Sequence, residues 1–126
     1  MKKLLFVLLL SISSFVHAQW TLATQNNIGL LYVDKSSIQQ HGSYMRMWER
    51  HEYFENSDAI TTSKMRSTRI LVEYDCREKK SRYLSYQAFK EPDLKNAYPQ
   101  DNRFDEWSFI APGTLAAITL NIACKK

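Results

Sequence analysis

Beyond an apolar leader, hydrophobic and polar residues alternate with a period of two along most of this chain, which is the pattern of half-buried β-strands. The run 44–54 shows it best. Met45, Met47 and Tyr53 fall on one face, and Tyr44, Trp48 and Phe54 share the other with Arg46, Arg50 and Glu52. That second face is amphipathic, not dry. A longer strand runs from about residue 62 to Cys76, basic over 64–69 and apolar thereafter. Ile70, Val72, Tyr74 and Cys76 share one of its faces, which predicts the core side. Glu55-Asn56-Ser57-Asp58 is a polar hairpin loop between these strands. Arg77-Glu78-Lys79-Lys80 is a charged turn, after which 81–89 returns as a strand. Residues 44–89 thus predict a β-meander, whose short connections favour antiparallel pairing.

Before the meander, Trp20-Thr21-Leu22-Ala23 reads as an edge strand and Asn26-Asn27 as a turn. The run 29–34 is rich in strand formers. It is expected to end at Asp34-Lys35-Ser36-Ser37, where the turn or cap chemistry allows a short helical turn over 37–39. After the meander, the alternation stops over 90–106, where Pro92, Pro99 and intervening polar residues predict a long irregular segment, a common location of function. Residues 107–110 are extended. Pro112-Gly113-Thr114 supplies a turn with Thr114 as N-cap, and 115–124 reads as a helix. Leu115, Ile118 and Ile122 form one stripe, with Ala117, Leu120 and Cys124 opposite. A helix apolar on two sides packs one against the sheet and offers the other, which raises the expectation of a homodimer through this helix.

The leader itself has Lys2 and Lys3, an apolar run from residue 4 to 10, and Val16-His17-Ala18. A basic start, an apolar centre and small residues before a cleavage site describe a signal peptide over 1–18, with 19–126 as a single working domain. The apolar run is far shorter than the roughly 20 residues that span a bilayer, so no transmembrane anchor is expected. No cysteine sits at the cleavage junction, so no lipoprotein anchor is expected either. The chain should therefore be exported, to reside in the periplasm, be secreted, or associate with the cell surface. Of the formal charge of +4, two units belong to Lys2 and Lys3, so the charge makes no case for nucleic acid as a partner.

In an oxidising compartment, two cysteines have one intrachain pairing, Cys76 with Cys124. The competing readings are an intermolecular disulfide and a reactive thiol. No neighbouring histidine or pair of cations marks either cysteine as activated.

The candidate chemistry points to binding and not to catalysis. The working domain has two histidines. His41 sits in a turn; His51 shares a strand face with Glu49, an arrangement that serves a metal or acid–base site or, equally, a surface charge pair. A hydrolase would need a pocket centred on His51. Asp105-Glu106 reads as solvent-facing. Three glycines in the whole chain leave no phosphate loop, and no nucleophile elbow is present, so no cofactor and no metal are expected. Cations are concentrated on one hairpin: Lys64, Arg66, Arg69, Arg77, Lys79, Lys80 and Arg82. Lys64, Arg66, Lys79, Lys80 and Arg82 are the candidates for a patch that binds a polyanionic glycan or lipopolysaccharide. The blander account is that such cations keep a β-rich protein soluble and its edges unpaired. Tyr98 and Phe104, inside the 90–106 segment, are the candidate exposed aromatic anchors.

An ordered set of residues resembles a known family. It comprises Trp20, Tyr32-Val33-Asp34, Ser36-Ser37-Ile38, Met47-Trp48, Ser63-Lys64, Glu73-Tyr74-Asp75-Cys76, Arg82-Tyr83-Leu84-Ser85, Trp107, Pro112-Gly113-Thr114 and Ala123-Cys124. This set is similar to the surface-adhesin E domain of Gram-negative bacteria and spans essentially the whole working domain. The resemblance implies an α+β fold: an antiparallel meander sheet of about six strands, a C-terminal helix packed on one face, and one disulfide between the two cysteines. It also implies an adhesin-like binding protein for host matrix and serum proteins such as vitronectin, laminin and plasminogen, able to dimerise. The reading from another class is a periplasmic structural, immunity or inhibitor-type protein that caps one partner.

Overall fold

The strand alternation translates directly into pairing. A computed structural model describes residues 18–57, 64–100 and 106–125, so most of the leader, Phe104 and Asp105 lie outside the described residues. The elements are β1 (Trp20–Gln25), β2 (Gly29–His41), β3 (Tyr44–Tyr53), β4 (Ser67–Asp75), β5 (Lys80–Glu91), β6 (Lys95–Ala97), β7 (Ser108–Phe109) and the helix α1 (Leu115–Cys124). Strands β1 to β6 follow one another across a single antiparallel sheet in sequence order, and the two-residue β7 joins the same side of β5 as β6 does. This is the expected six-strand meander with a C-terminal helix and one disulfide.

The register sorts side chains onto two faces, because directly opposed residues point the same way. One face carries Leu31, His51 and Thr68 in one row, Val33, Glu49 and Ile70 in the next, and then Met47, Val72 and Tyr83. Val33, Met47, Ile70, Val72 and Tyr74 form the buried cluster with Leu120 and Ala123, so α1 lies on this face. Ile70, Val72 and Tyr74 are buried as the alternation predicts. Thr114 caps α1, its side chain accepting a hydrogen bond from the Ala117 amide.

Three features depart from the sequence expectation. First, β2 continues to His41, with a register shift against β3 between Asp34 and Gln39. The turn chemistry is present but is used inside the strand. Asp34 Oδ1 accepts from the Ser36 amide and hydroxyl, while Ser37 Oγ donates to the Asp34 carbonyl and accepts from the Trp48 amide across the pair. Those bonds satisfy the groups that a bulge leaves open, so the strand need not stop. Second, the 90–106 segment is not irregular throughout, since β6 forms a hairpin with β5 through a turn containing Asp93 and Leu94 at positive φ. Third, the helix buries Thr119 with Leu120 and Ala123, and Ile118 faces outward, 38% exposed. Gly29 is required where β2 meets β3, because a Cβ there would lie 2.0 Å from the Glu52 carbonyl oxygen.

Cys76 and Cys124 are bonded, 48 residues apart in sequence. Closing a loop of that length removes chain entropy worth about 4 kcal/mol from the unfolded state. Replacing both cysteines by serine is therefore expected to lower the unfolding free energy by about 4 kcal/mol in a denaturant titration. An unchanged midpoint would show that packing alone holds the helix.

Candidate functional site

The sheet face away from α1 carries rows of arginines and aromatic rings. Tyr32, Arg50, Arg69 and Gln87 are in register across β2 to β5, and beside them run Trp20, Asp34, Trp48 and Leu71. The Arg50 guanidinium lies 6.0 Å from the Trp20 ring centre and 5.5 Å from that of Tyr32. Arg69 lies 5.8 Å from Trp48 and 5.7 Å from Phe89. Such stacking is worth about 0.5–1 kcal/mol at exposed positions and holds each guanidinium in place. Arg50 is further bound by Glu52 and, at 2.9 Å, by Asp93. Arg69 is exposed, and among the described residues no carboxylate pairs with it. No described helix or strand packs across this face.

At the far end of the face, Glu73 is 1% exposed beneath Arg46 and Arg82, each 2.7 Å away. Burial pushes its carboxyl up, but hydrogen bonds and charge from the two arginines outweigh burial and hold it below the ordinary carboxylate value. Arg82 in turn lies 4.6 Å from the Trp107 ring centre, and Trp107 packs on Tyr44 at 4.9 Å.

The structure divides the cations chosen from the sequence. Lys64 and Arg66 precede β4, whereas Lys79 lies in the turn after it and Lys80 and Arg82 at the start of β5. Nine residues of strand, roughly 30 Å, separate the two groups. Tyr98 belongs to the first group: its hydroxyl donates to the Lys64 carbonyl at 3.0 Å, and the Lys90 ammonium lies 5.3 Å from its ring centre. Arg66 is 3.9 Å from Glu55. In the second group, Lys80 lies 4.8 Å from the ring centre of Phe109, which is 76% exposed, and Arg82 is committed to Glu73. Sequence reasoning overlooked Arg50 and Arg69 with their rings. The alternation already set Trp48 beside Arg50 and turned Arg69 away from the core, but only the β3–β4–β5 register sets Arg69 between Trp48 and Phe89.

On the covered face a polar group sits inside the core. Glu49, one turn of the pleat from His51, is hydrogen-bonded to the Tyr74 hydroxyl, which also meets Thr119 Oγ1 at 2.7 Å. Thr119 Oγ1 donates to the Ala116 carbonyl at 3.1 Å. Each hydroxyl has one proton. Tyr74 Oη donates to Glu49 Oε2 and lies within hydrogen-bond distance of Thr119 Oγ1 as well, so its single proton has two oxygens to serve. Burial pushes the Glu49 carboxyl up to about 7, against the lowering by its Tyr74 bond. Burial also lowers His51 to about 4, so its ring is neutral. The pair therefore lies on the helix-covered face, Glu49 buried and His51 half-buried, and is not a surface charge pair.

With this geometry in hand, known proteins can be set beside it. The family model described as surface-adhesin protein E matches residues 20–125. No curated protein matches the chain significantly. Among solved structures, the fold is similar to that of Haemophilus influenzae protein E, with a TM-score of 0.61 and 16% identity over 88% of this chain and 87% of that one. A second crystal form of that protein gives 0.60 and 15% over 88% and 91%. Protein E from non-typeable Haemophilus influenzae gives 0.53 and 15% over 87% and 76%. At such identities the likeness is one of fold.

The Glu49–His51 pair makes a definite prediction for stability against pH. Between about pH 4.5 and 6.5 the folded protein holds a proton on Glu49 and none on His51, while the unfolded chain does the reverse. Equal proton counts give no slope from these two groups. His51→Asn should expose the Glu49 contribution alone, which is full below the unfolded value and lost as pH rises through about 7. Glu49→Gln should expose the opposite one, full above 6.5 and lost as pH falls through about 4. Each is on the order of 3 kcal/mol. Denaturation midpoints at pH 4.5, 5.5 and 6.5 for the two variants should slope in opposite directions, and parallel slopes would refute the pairing.

Proposed function

The chain belongs to the surface-adhesin protein E family, and on that premise we propose that it is an exported, non-catalytic binding protein that meets its partner through the sheet face opposite α1. The observation that carries this reading is Arg69, an exposed guanidinium without a carboxylate partner among the described residues, held between Trp48 and Phe89. Arginine and tryptophan dominate energetic centres of protein interfaces, because a stacked guanidinium is already ordered and desolvates at low cost. Arg50 with Trp20 and Tyr32 extends the same surface. A partner that suits it presents carboxylates among apolar side chains. Host matrix or serum proteins are the leading class, and macromolecules of the producer's own envelope are the second.

Export rests on the signal-peptide character of residues 1–18. Among the described residues, no helix is long and apolar enough to cross a membrane. The exposed Lys79, with Lys80 beside Phe109, forms a separate basic end suited to a polyanionic glycan or lipopolysaccharide. Self-association through α1 would use Ile118, the large apolar side chain that α1 leaves exposed.

The test is binding of residues 19–126 to immobilised vitronectin and laminin, and in parallel to an envelope extract. Arg69→Ala is expected to weaken binding more than tenfold, the loss typical of an interface centre, with the melting temperature nearly unchanged. Full binding by Arg69→Ala combined with loss in a Lys79→Ala, Lys80→Ala variant would move the site to the basic end. Capture by the envelope extract alone would favour a periplasmic partner.

A further inference from the structure

The two halves of α1 sit differently on the sheet. Its C-terminal half is packed through Leu120 and Ala123 and bonded through Cys124. Its N-terminal half stands over a cavity of about 300 Å3. Leu31, Val72 and Leu115 supply apolar wall, while Glu49, His51 and Tyr83 supply polar and aromatic wall. This volume lies at the small end of the range for small-molecule sites, and the mixture of apolar surface with a few convergent polar groups is typical of them. The site is on the opposite face from Arg69 and is independent of macromolecular binding there.

We propose that this cavity binds a small organic cation, an apolar body carrying one protonated amine seated against the Glu49 carboxylate. No lysine or arginine lines the cavity, and its other titratable groups are His51, Tyr74 and Tyr83. Among the described residues, Tyr74 is the one hydrogen-bond partner of Glu49, which leaves a carboxyl oxygen for a ligand. Every recognition element an ammonium needs is then present. Glu49 provides the counter-charge, the neutral His51 ring provides an acceptor nitrogen, and Tyr83 provides an aromatic ring. An anionic ligand would instead bring a second negative charge to a wall that has no cation to receive it.

Binding has a defined proton balance. In the empty cavity burial favours the neutral form of Glu49, because its charge would be buried unpaired. When the ammonium arrives, Glu49 gives its proton to solvent. Tyr74 keeps donating to Glu49 Oε2, and the ammonium bonds the other oxygen. Below about pH 7 one proton is released for each ligand bound, and above it none is.

The experiment is isothermal titration of disulfide-intact residues 19–126 with n-hexylammonium, n-hexanol and hexanoate at pH 5, 6, 7 and 8. Hexylammonium is expected to bind about tenfold more tightly for each pH unit from 5 to 7 and to level off above, with one proton released at the lower values. Hexanol and hexanoate should bind at least tenfold more weakly at pH 8. Glu49→Gln should remove hexylammonium binding and its pH dependence. The proposal is overturned by equal binding of hexanol, by pH-independent affinity, by retained binding in Glu49→Gln, or by no saturable binding of hexylammonium. If Glu49→Gln does not fold, the pH profile and proton release of the unsubstituted protein decide the matter.

Discussion

The bond between Cys76 and Cys124 joins the residue just beyond β4 to the last residue of the helix, so α1 is anchored at one end only. The anchored half can pack closely, through Ala123 with no exposure and Leu120 with little. The opposite half has no covalent tie and relies on the Glu49–Tyr74–Thr119 bonds, which reach from two strands to the helix. A dry core at one end and a polar, partly hollow one at the other follow from that asymmetry. The helix is held as a lever is held, rigid near the bond and adjustable away from it.

The same strands must serve a second face, because alternation sends every other side chain there. Among the described residues no helix covers that face, and its composition shows how a sheet can remain half-open to water. Long guanidinium groups lie over Trp20, Tyr32, Trp48 and Phe89, so the rings are shielded by side chains that keep their charge hydrated. Glu73 is buried there without instability because two arginines close over it. The arrangement keeps apolar area available to a partner while denying it to non-specific association.

How much of this was legible in the sequence depends on how local each feature is. The strands around Met47 and Val72 were readable because period-two alternation is local, and the Thr114 cap because its hydrogen bond lies within a few residues. The disulfide was readable from cysteine number and compartment. The continuation of β2 through Asp34 and Ser37 was not, since the same side-chain bonds that end a strand also complete a bulge, and only the facing Trp48 amide decides between them. The β5–β6 hairpin was hidden because its turn uses Asp93 and Leu94 at positive φ without a glycine. The basic residues read as one patch because sequence proximity across a hairpin conceals the length of strand between Lys64 and Lys79. The burial of Glu49 and His51 depends on a helix formed some sixty residues later, which no local pattern reports.

Among the described residues three register shifts interrupt the sheet, at Leu22/Thr24 in β1, at Asp34/Gln39 in β2, and at Leu84 in β5, opposite Leu71/Val72 of β4. Each adds local twist and bends its strand. The shift in β1 has a separate effect, because β1 is the open border of the sheet and carries the exposed Leu22. A regular border strand is a template onto which another chain can add, residue by residue. An interrupted one offers no continuous register for that addition, so the irregularity in β1 works as a safeguard against sheet-to-sheet aggregation.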